Sequence, residues 1–245
     1  MTSSKLKLLA RIQLKKNFWQ PVSVASLLIL IYTLFSFYQA NVTQTISTWG
    51  GIIISLGISF IFSMIFNVFI AGLYKYYLNQ AERKESLFSD LLYGLKNSPD
   101  RIIAVSFFKV LITRLPLLPG ILCTAAYYID GCKQEVIAAG GILLLIIGAI
   151  VCYILSLSFS QILFIAADST SLNTFEILRR SRHIMNGNKE RMFMLQLSFI
   201  PLVIVSIFTM YLGFFITIPY YVASTCYFYL DLNRRIEPKM FFREE

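Results

Sequence analysis

No aspartate or glutamate falls in the middle of any long apolar run of this 245-residue chain. The acids sit instead at Glu82, Glu85, Asp90, Asp100, Asp130, Glu135, Asp168, Glu176, Glu190, Asp231 and in the tail. A carboxylate inside hydrocarbon is costly and usually marks an ion or proton path. Its absence disfavours a proton-coupled pump. The single histidine, His183, has its nearest acids, Glu176 and Glu190, each seven residues away. No nucleophile stands beside it and no further ligand is spaced to join it, so neither a His-based triad nor a metal centre is expected. The four cysteines, Cys123, Cys132, Cys152 and Cys226, form no C-x-x-C pair, which removes a zinc ribbon and a redox couple. Cys132 reads as a free thiol. The chain therefore reads as non-enzymatic, with no catalytic residue, cofactor or metal.

Charge is scarce as well. Charged residues make up 14% of the chain and hydrophobic ones 57%, against roughly 25% and 45–50% in soluble domains. The mean hydropathy of +0.67 places it in the membrane class. A net charge of +9 would suggest nucleic acid in a soluble protein. Here no basic fold motif accompanies it, and the charge has another explanation in its distribution.

Apolar runs long enough to cross about 30 Å of hydrocarbon occur at 21–38, 52–73, 110–128, 136–158, 192–210 and 214–230. The fourth stays apolar to Ala166, about 46 Å as a helix, so it must tilt, break near Ser156–Ser160 or project beyond the bilayer. No A-x-A-like site follows the first run, which reads as a retained signal-anchor. Of the 22 Lys and Arg residues, 21 lie on one side of this alternation, and only Lys133 lies on the other. Positive charge is retained in the cytoplasm, so both termini are expected there. The expected architecture is all-α: a single integral membrane domain, 1–245, forming a polytopic bundle of six transmembrane helices.

The basic segments are also patterned. Leu87, Phe88, Leu91, Leu92 and Leu95 share one helical face, which predicts an in-plane amphipathic helix over 86–97. Ser98-Pro99-Asp100 then restarts a helix, with proline at its first position. A second in-plane helix is predicted over 172–186, where Asn173 and Glu176 form a capping pair and Asn186-Gly187 is a left-handed stop. Leu172, Phe175, Leu178 and Met185 are expected to face lipid. A weaker third segment covers 4–16. The chain thus reads as three units, each an in-plane helix followed by a membrane hairpin.

The stretch from Glu176 to Leu232 carries Ser181, Met185, Gly187, Lys189, Phe193, Leu195, Leu197, Ser198, Phe199 and Ile200, then Pro219 and Tyr220, then Phe228 and Tyr229. In this pattern it resembles the bacterial multi-pass membrane proteins grouped as the domain of unknown function 975 family. Leu118-Pro119-Gly120-Ile121 is similar to that family's Pro-Gly-Ile element. The chain has Pro201 and Leu202 where Gly-Trp is usual, and Asn186 where Lys is usual. The resemblance implies an integral protein of the bacterial cytoplasmic membrane and brings no activity with it.

Three groups of side chains are candidates for function. Lys109 and Arg114, at the start of the third span, either snorkel to the inner interface or face the bundle interior as anion or lipid-headgroup contacts. Arg179, Arg180, Arg182, Lys189 and Arg191 could attract anionic lipid at about 1 kcal/mol per charge, besides orienting the chain. Asn67, Gln161 and Gln196 either join helices or line a polar cavity. Pro116, Pro119, Pro201 and Pro219 interrupt spans three, five and six, and broken helices also build transporter sites. Two functions follow as expectations. One is a protein that organises lipid or partner proteins through a basic inner-leaflet surface. The other is a transporter or exporter component with a path between spans three, five and six, which would need a continuous water-accessible cavity lined by Asn67, Gln161 or Gln196. The expected partners are the phospholipid bilayer and anionic headgroups; a protein partner or a second copy is left open.

Overall fold

The computed structural model describes residues 2–16, 18–44, 48–97, 99–129 and 135–233. The expected cap at Ser98, the loop with Cys132 and Lys133, and the basic tail from Arg234 lie outside these residues. Among the described residues every regular element is helical. In chain order they are α1 (Ser3–Lys16), α2 (Trp19–Gln44), α3 (Trp49–Ala81), a 3-10 turn Phe88–Leu92, α4 (Tyr93–Lys96) and α5 (Pro99–Arg114). A 3-10 turn Leu115–Leu117 follows, then α6 (Leu118–Ile129), α7 (Glu135–Ser158), α8 (Ile162–Asp168), α9 (Thr174–Met185), α10 (Lys189–Leu197), α11 (Ile200–Phe208) and α12 (Phe214–Leu232).

Five stretches are long and apolar enough to cross a membrane: Trp19–Val42, Trp49–Ala81, Pro99–Tyr128, Ile137–Asp168 and Lys189–Phe208. The sixth expected span, 214–230, forms α12 but is not among them. Its polar and tyrosine-rich stretch is enclosed by protein, with every residue from Val222 to Leu230 buried. Three of the five stretches are interrupted. Pro116 lies in the 3-10 turn between α5 and α6, a turn at Phe159–Gln161 separates α7 from α8, and Ser198–Phe199 separates α10 from the Pro201 end of α11. Proline explains the first and third, since it has no N–H to give the preceding turn. The second answers the excess length of the fourth apolar run: the helix stops, and α8 turns into the core. Pro219, in contrast, sits inside α12, which continues through it.

Of the three amphipathic segments, those at 4–16 and 172–186 form helices, α1 and α9, and that at 86–97 does not. The stretch 86–97 is not one helix but the 3-10 turn and the single α-turn of α4. Gly72 and Gly94 show why: a Cβ on Gly72 would overlap the Leu91 carbonyl oxygen, and one on Gly94 would lie 2.7 Å from Val68 Cγ1. The segment is drawn so close to α3 that main chain touches main chain, and a continuous helix could not follow that surface. On α9 the capping box forms, with the Asn173 N–H donating to Glu176 Oε2 at 2.8 Å, and Gly187 adopts φ +77°. Met185, expected to face lipid, is fully buried beside Ile177 and Ser181, and Leu172 and Leu178 are half-buried. Only Phe175 of that set is exposed.

The buried core is one cluster, and it occupies one end of the bundle. It draws on α1, the start of α2, the last part of α3, Leu91, Tyr93, the first part of α5, α8, α9, α10 and the last part of α12. Among the described residues it takes no buried member from 29–67, 106–156 or 200–221. Burial of an apolar side chain stabilises by roughly 1.5–3 kcal/mol only when the alternative is water. In hydrocarbon, lipid tails are as apolar as leucine and that driving force vanishes. The chain accordingly concentrates its core where its basic segments lie and leaves Leu30, Leu34, Ile54, Ile61, Ile147 and Ile204 exposed along the spans. At the opposite end three hairpins are held by local contacts. Gln39 donates to Ser55 Oγ at 2.9 Å between α2 and α3, Gly141 packs on Thr124 between α6 and α7, and Ser206 and Thr217 share a 2.9 Å hydrogen bond between α11 and α12.

Candidate functional site

At the basic end each amphipathic segment has two unlike faces. On α1, Leu6, Leu9, Ala10 and Leu14 are buried, while Leu8 and Ile12 are exposed beside Lys5, Arg11 and Lys15. In the stretch 87–96, Leu91 is buried, while Leu87, Phe88, Leu92 and Leu95 are exposed beside Lys84 and Lys96. On α9, Ile177, Ser181 and Met185 are buried, and Phe175, Arg179, Arg180, Arg182 and His183 are exposed. Apolar and cationic side chains thus share an outward face three times. Such a face suits the boundary between acyl chains and headgroups.

The remaining two cations of the expected basic cluster are placed differently. Arg191 donates to the Asp231 carboxylate and, at 2.9 Å, to Asn188 Oδ1, with its guanidinium 5.5 Å from the Phe228 ring centroid. It forms an ion pair between α10 and α12, its fork turned to the α12 carboxylate. Lys189 is half-buried in the first turn of α10.

Lys109 and Arg114 both reach across from α5 to α3. The Lys109 ammonium donates to Asn67 Oδ1 of α3 at 3.0 Å. The Arg114 guanidinium donates to Ser59 Oγ at 2.7 Å and Ser63 Oγ at 2.6 Å on the same helix. Both therefore bond to α3 across the α3–α5 contact, Lys109 half-buried and Arg114 exposed. Ser55, Ser59, Ser63 and Asn67 recur every fourth residue and so form one polar stripe along α3. Arg114 also closes a cleft of about 280 Å³ between α2 and α3.

The three amides do not converge. Asn67 donates to the Ser63 carbonyl at 2.8 Å besides accepting from Lys109. Gln196 accepts from the Tyr153 hydroxyl at 2.7 Å and donates to the Tyr221 hydroxyl at 3.2 Å, linking α7, α10 and α12. Gln161 is fully buried in the turn before α8 and donates to Ser160 Oγ at 3.2 Å. The cleft closed by Arg114 is lined by none of them. Nor do they line another cleft, about 400 Å³ between α1, α10 and α12.

The family model described as "Protein of unknown function (DUF975)" matches residues 1–236. The chain belongs to the DUF975 family. No curated protein and no solved structure matches it. The match extends well beyond the 176–232 stretch that carries the resemblance and takes in the amphipathic segments and the third and fourth spans.

Within this DUF975 chain the motif residues build the joints of the core. Phe199 is buried edge-on to Tyr220 and Tyr221, with centroids 5.1 and 5.3 Å away. Lys7 lies 4.4 Å over the Phe199 ring and donates to the Ser198 carbonyl at 2.6 Å, while Tyr220 donates back to the Lys7 carbonyl at 3.2 Å. Burial lowers the Lys7 ammonium below the ordinary lysine value. Ser181 donates to the Ser158 carbonyl at 3.3 Å, where α7 ends. Phe193 is edge-on to Tyr153 at 6.3 Å, and Pro219 is buried. Tyr229 donates to Asp168 at 2.8 Å, and Tyr74, Phe164 and Tyr229 form a stack with centroids 3.9 and 5.5 Å apart.

Sequence reasoning missed the partners of these residues. It also missed Arg101, whose guanidinium donates to the Ala166 carbonyl at 3.0 Å, the Leu172 carbonyl at 3.3 Å and the Ser169 carbonyl. These are main-chain acceptors at and after the end of α8, and a cation there also complements the helix dipole. No local pattern around Arg101 announces it, because its acceptors lie 65 to 71 residues away.

Proposed function

We propose that this DUF975 protein is a non-enzymatic membrane-organising protein of the bacterial cytoplasmic membrane. It crosses the bilayer six times, with α12 as the sixth span and both termini inside. Its packed end sits at the inner leaflet and gathers anionic lipid around Arg179, Arg180 and Arg182. The observation that carries the reading is the double face of α1, 87–96 and α9: one side sealed into a rigid core, the other offering apolar and basic side chains together. Six spans follow from the odd count that five would leave, which would put the α1 segment and the tail beyond Asn233 on opposite sides despite their shared positive charge. Asn67 and Gln196 serve helix-to-helix bonds, and this favours the organising role over a path between spans three, five and six.

Two measurements test it. Single cysteines introduced at Asn41 and Asn188 in a cysteine-free background should be labelled from opposite sides of the membrane; labelling of both from one side would refute the topology. Native mass spectrometry of the protein released from mixed-lipid nanodiscs should show enrichment of phosphatidylglycerol over phosphatidylcholine. The triple variant R179E/R180E/R182E should abolish that enrichment, and an unchanged lipid ratio would remove the basis for the inner-leaflet role.

A further inference from the structure

We infer that the cleft between α2, α3 and α5 is a binding site for one anionic phospholipid, whose phosphate is held by Arg114, Ser59 and Ser63. The site begins with a charge that no described residue neutralises. Among the described residues no carboxylate lies within 4 Å of Arg114 or Lys109. A bare arginine at the centre of a span costs about 2.5–3.5 kcal/mol on insertion scales. Ser59 and Ser63 lie within the second span, Trp49–Ala81, on the Trp49 side of its middle, so the guanidinium lies against membrane-spanning helix.

The hydrogen-bond inventory points the same way. A guanidinium has five N–H donors in a rigid fork that matches phosphate. Two are used on Ser59 and Ser63, and the other three have no acceptor among the described residues. The Ser63 hydroxyl donates to the Ser59 carbonyl at 2.7 Å, whereas Ser59 accepts from Arg114 and keeps its own O–H to give. Arg114, Ser59 and Ser63, with these spare donors, all line one cleft of about 280 Å³. That volume holds a headgroup. The Lys109 ammonium, bound only to Asn67 one turn along the stripe from Ser63, adds a second positive charge nearby.

The walls identify the rest of the ligand. Tyr32, Phe35 and Phe62 line the cleft, and Phe35 and Phe62 are stacked with centroids 3.5 Å apart. Tyr32 on this wall is exposed, and with Phe35 and Phe62 it gives the cleft an apolar rim. A free anion would have to cross that rim, while a lipid can enter with its acyl chains left in hydrocarbon. A carboxylate on the protein would have sealed the charge permanently. With none there among the described residues, the anion stays exchangeable.

The full chain, purified in a neutral detergent, should be titrated with phosphatidylglycerol and followed by native mass spectrometry. One lipid should be retained per chain. R114Q should weaken that retention by about tenfold or more, the factor set by about 1.4 kcal/mol, and S59A/S63A should weaken it as well. R179E, on the outer basic face, should leave this tightest site unchanged, which separates it from the inner-leaflet reading above. R114Q should unfold no more easily than the parent in the absence of lipid, since it removes an unpaired charge; should it fail to fold, S59A/S63A carries the test. Equal retention by the parent and both variants would overturn the site. Binding of inorganic phosphate alone, or displacement of the lipid by millimolar phosphate, would overturn the lipid assignment.

Discussion

Tyr229 donates its hydroxyl to the Asp168 carboxylate at 2.8 Å, tying the last turns of α12 to the end of α8 across 61 residues of sequence. Its ring also closes the stack on Phe164. One side chain therefore holds two elements that separate membrane hairpins deliver to the same place. Tyr229→Phe keeps the stack and removes the hydrogen bond, and it should cost about 1.5–3 kcal/mol. Tyr229→Ala should cost about 3–5 kcal/mol, because a cavity is added. Thermal unfolding in detergent micelles checks both, and equal stability of Tyr229→Phe and the parent would show that the bond is idle.

Arg101 closes the end of α8 by donating to three main-chain carbonyls. Arg101→Met should destabilise by at least about 1.5–3 kcal/mol, the range for hydrogen bonds to a charged group. Arg101→Lys should recover only part of the loss, since an ammonium lacks the planar fork. Hydrogen exchange should show the damage first in α8 and the loop to α9. Uniform loss of protection over the whole chain would argue against a local cap.

Gly72 and Gly57 lie on the same helix and make opposite predictions. A Cβ on Gly72 meets the main chain of Leu91 and Asp90, whereas one on Gly57 meets nothing within 4 Å. Gly72→Ala should cost about 1–3 kcal/mol by overpacking. Gly57→Ala should be neutral or stabilising by about 0.5–1 kcal/mol through backbone entropy. Comparison of unfolding midpoints decides it: a harmless Gly72→Ala would mean that 88–96 does not rest on α3.

Gln196 sits between the hydroxyls of Tyr153 and Tyr221. As a link between helices, it should lose about 0.6 kcal/mol when replaced by leucine, the average for such bonds in a membrane protein. A cost above about 2 kcal/mol would mark Gln196 as part of a larger buried polar network.

The positions of the long helices were legible because their causes are local. Apolar runs select the spans, Asn173 and Glu176 cap α9 within one turn, and Gly187 supplies the positive φ that stops it. The candidate cations were legible by type but not by role. Arg179, Arg180 and Arg182 remain on an outer face, Arg191 is paired with Asp231, and Lys109 and Arg114 turn to amide and hydroxyl groups on α3. Nothing in the hydropathy of Ser55, Ser59 and Ser63 distinguishes a stripe that receives cations from one that packs small side chains.

By itself the sequence determined that the chain is helical, where it is apolar enough to enter a membrane, and which segments carry the positive charge. These are sums over neighbouring residues, and transfer free energy and capping act at that range. Only the tertiary structure decided which apolar residues are core and which face outward. Leu91 and Leu92 are adjacent leucines, one buried and one exposed, and the difference lies in the approach of α3 through Gly72. It also decided that Arg101, Arg191 and Tyr229 hold the packed end together while Arg114 is left with donors to spare. Hydrogen bonds are short and directional, so their partners are settled by which helices meet, and that meeting is arranged over separations of 40 to 71 residues.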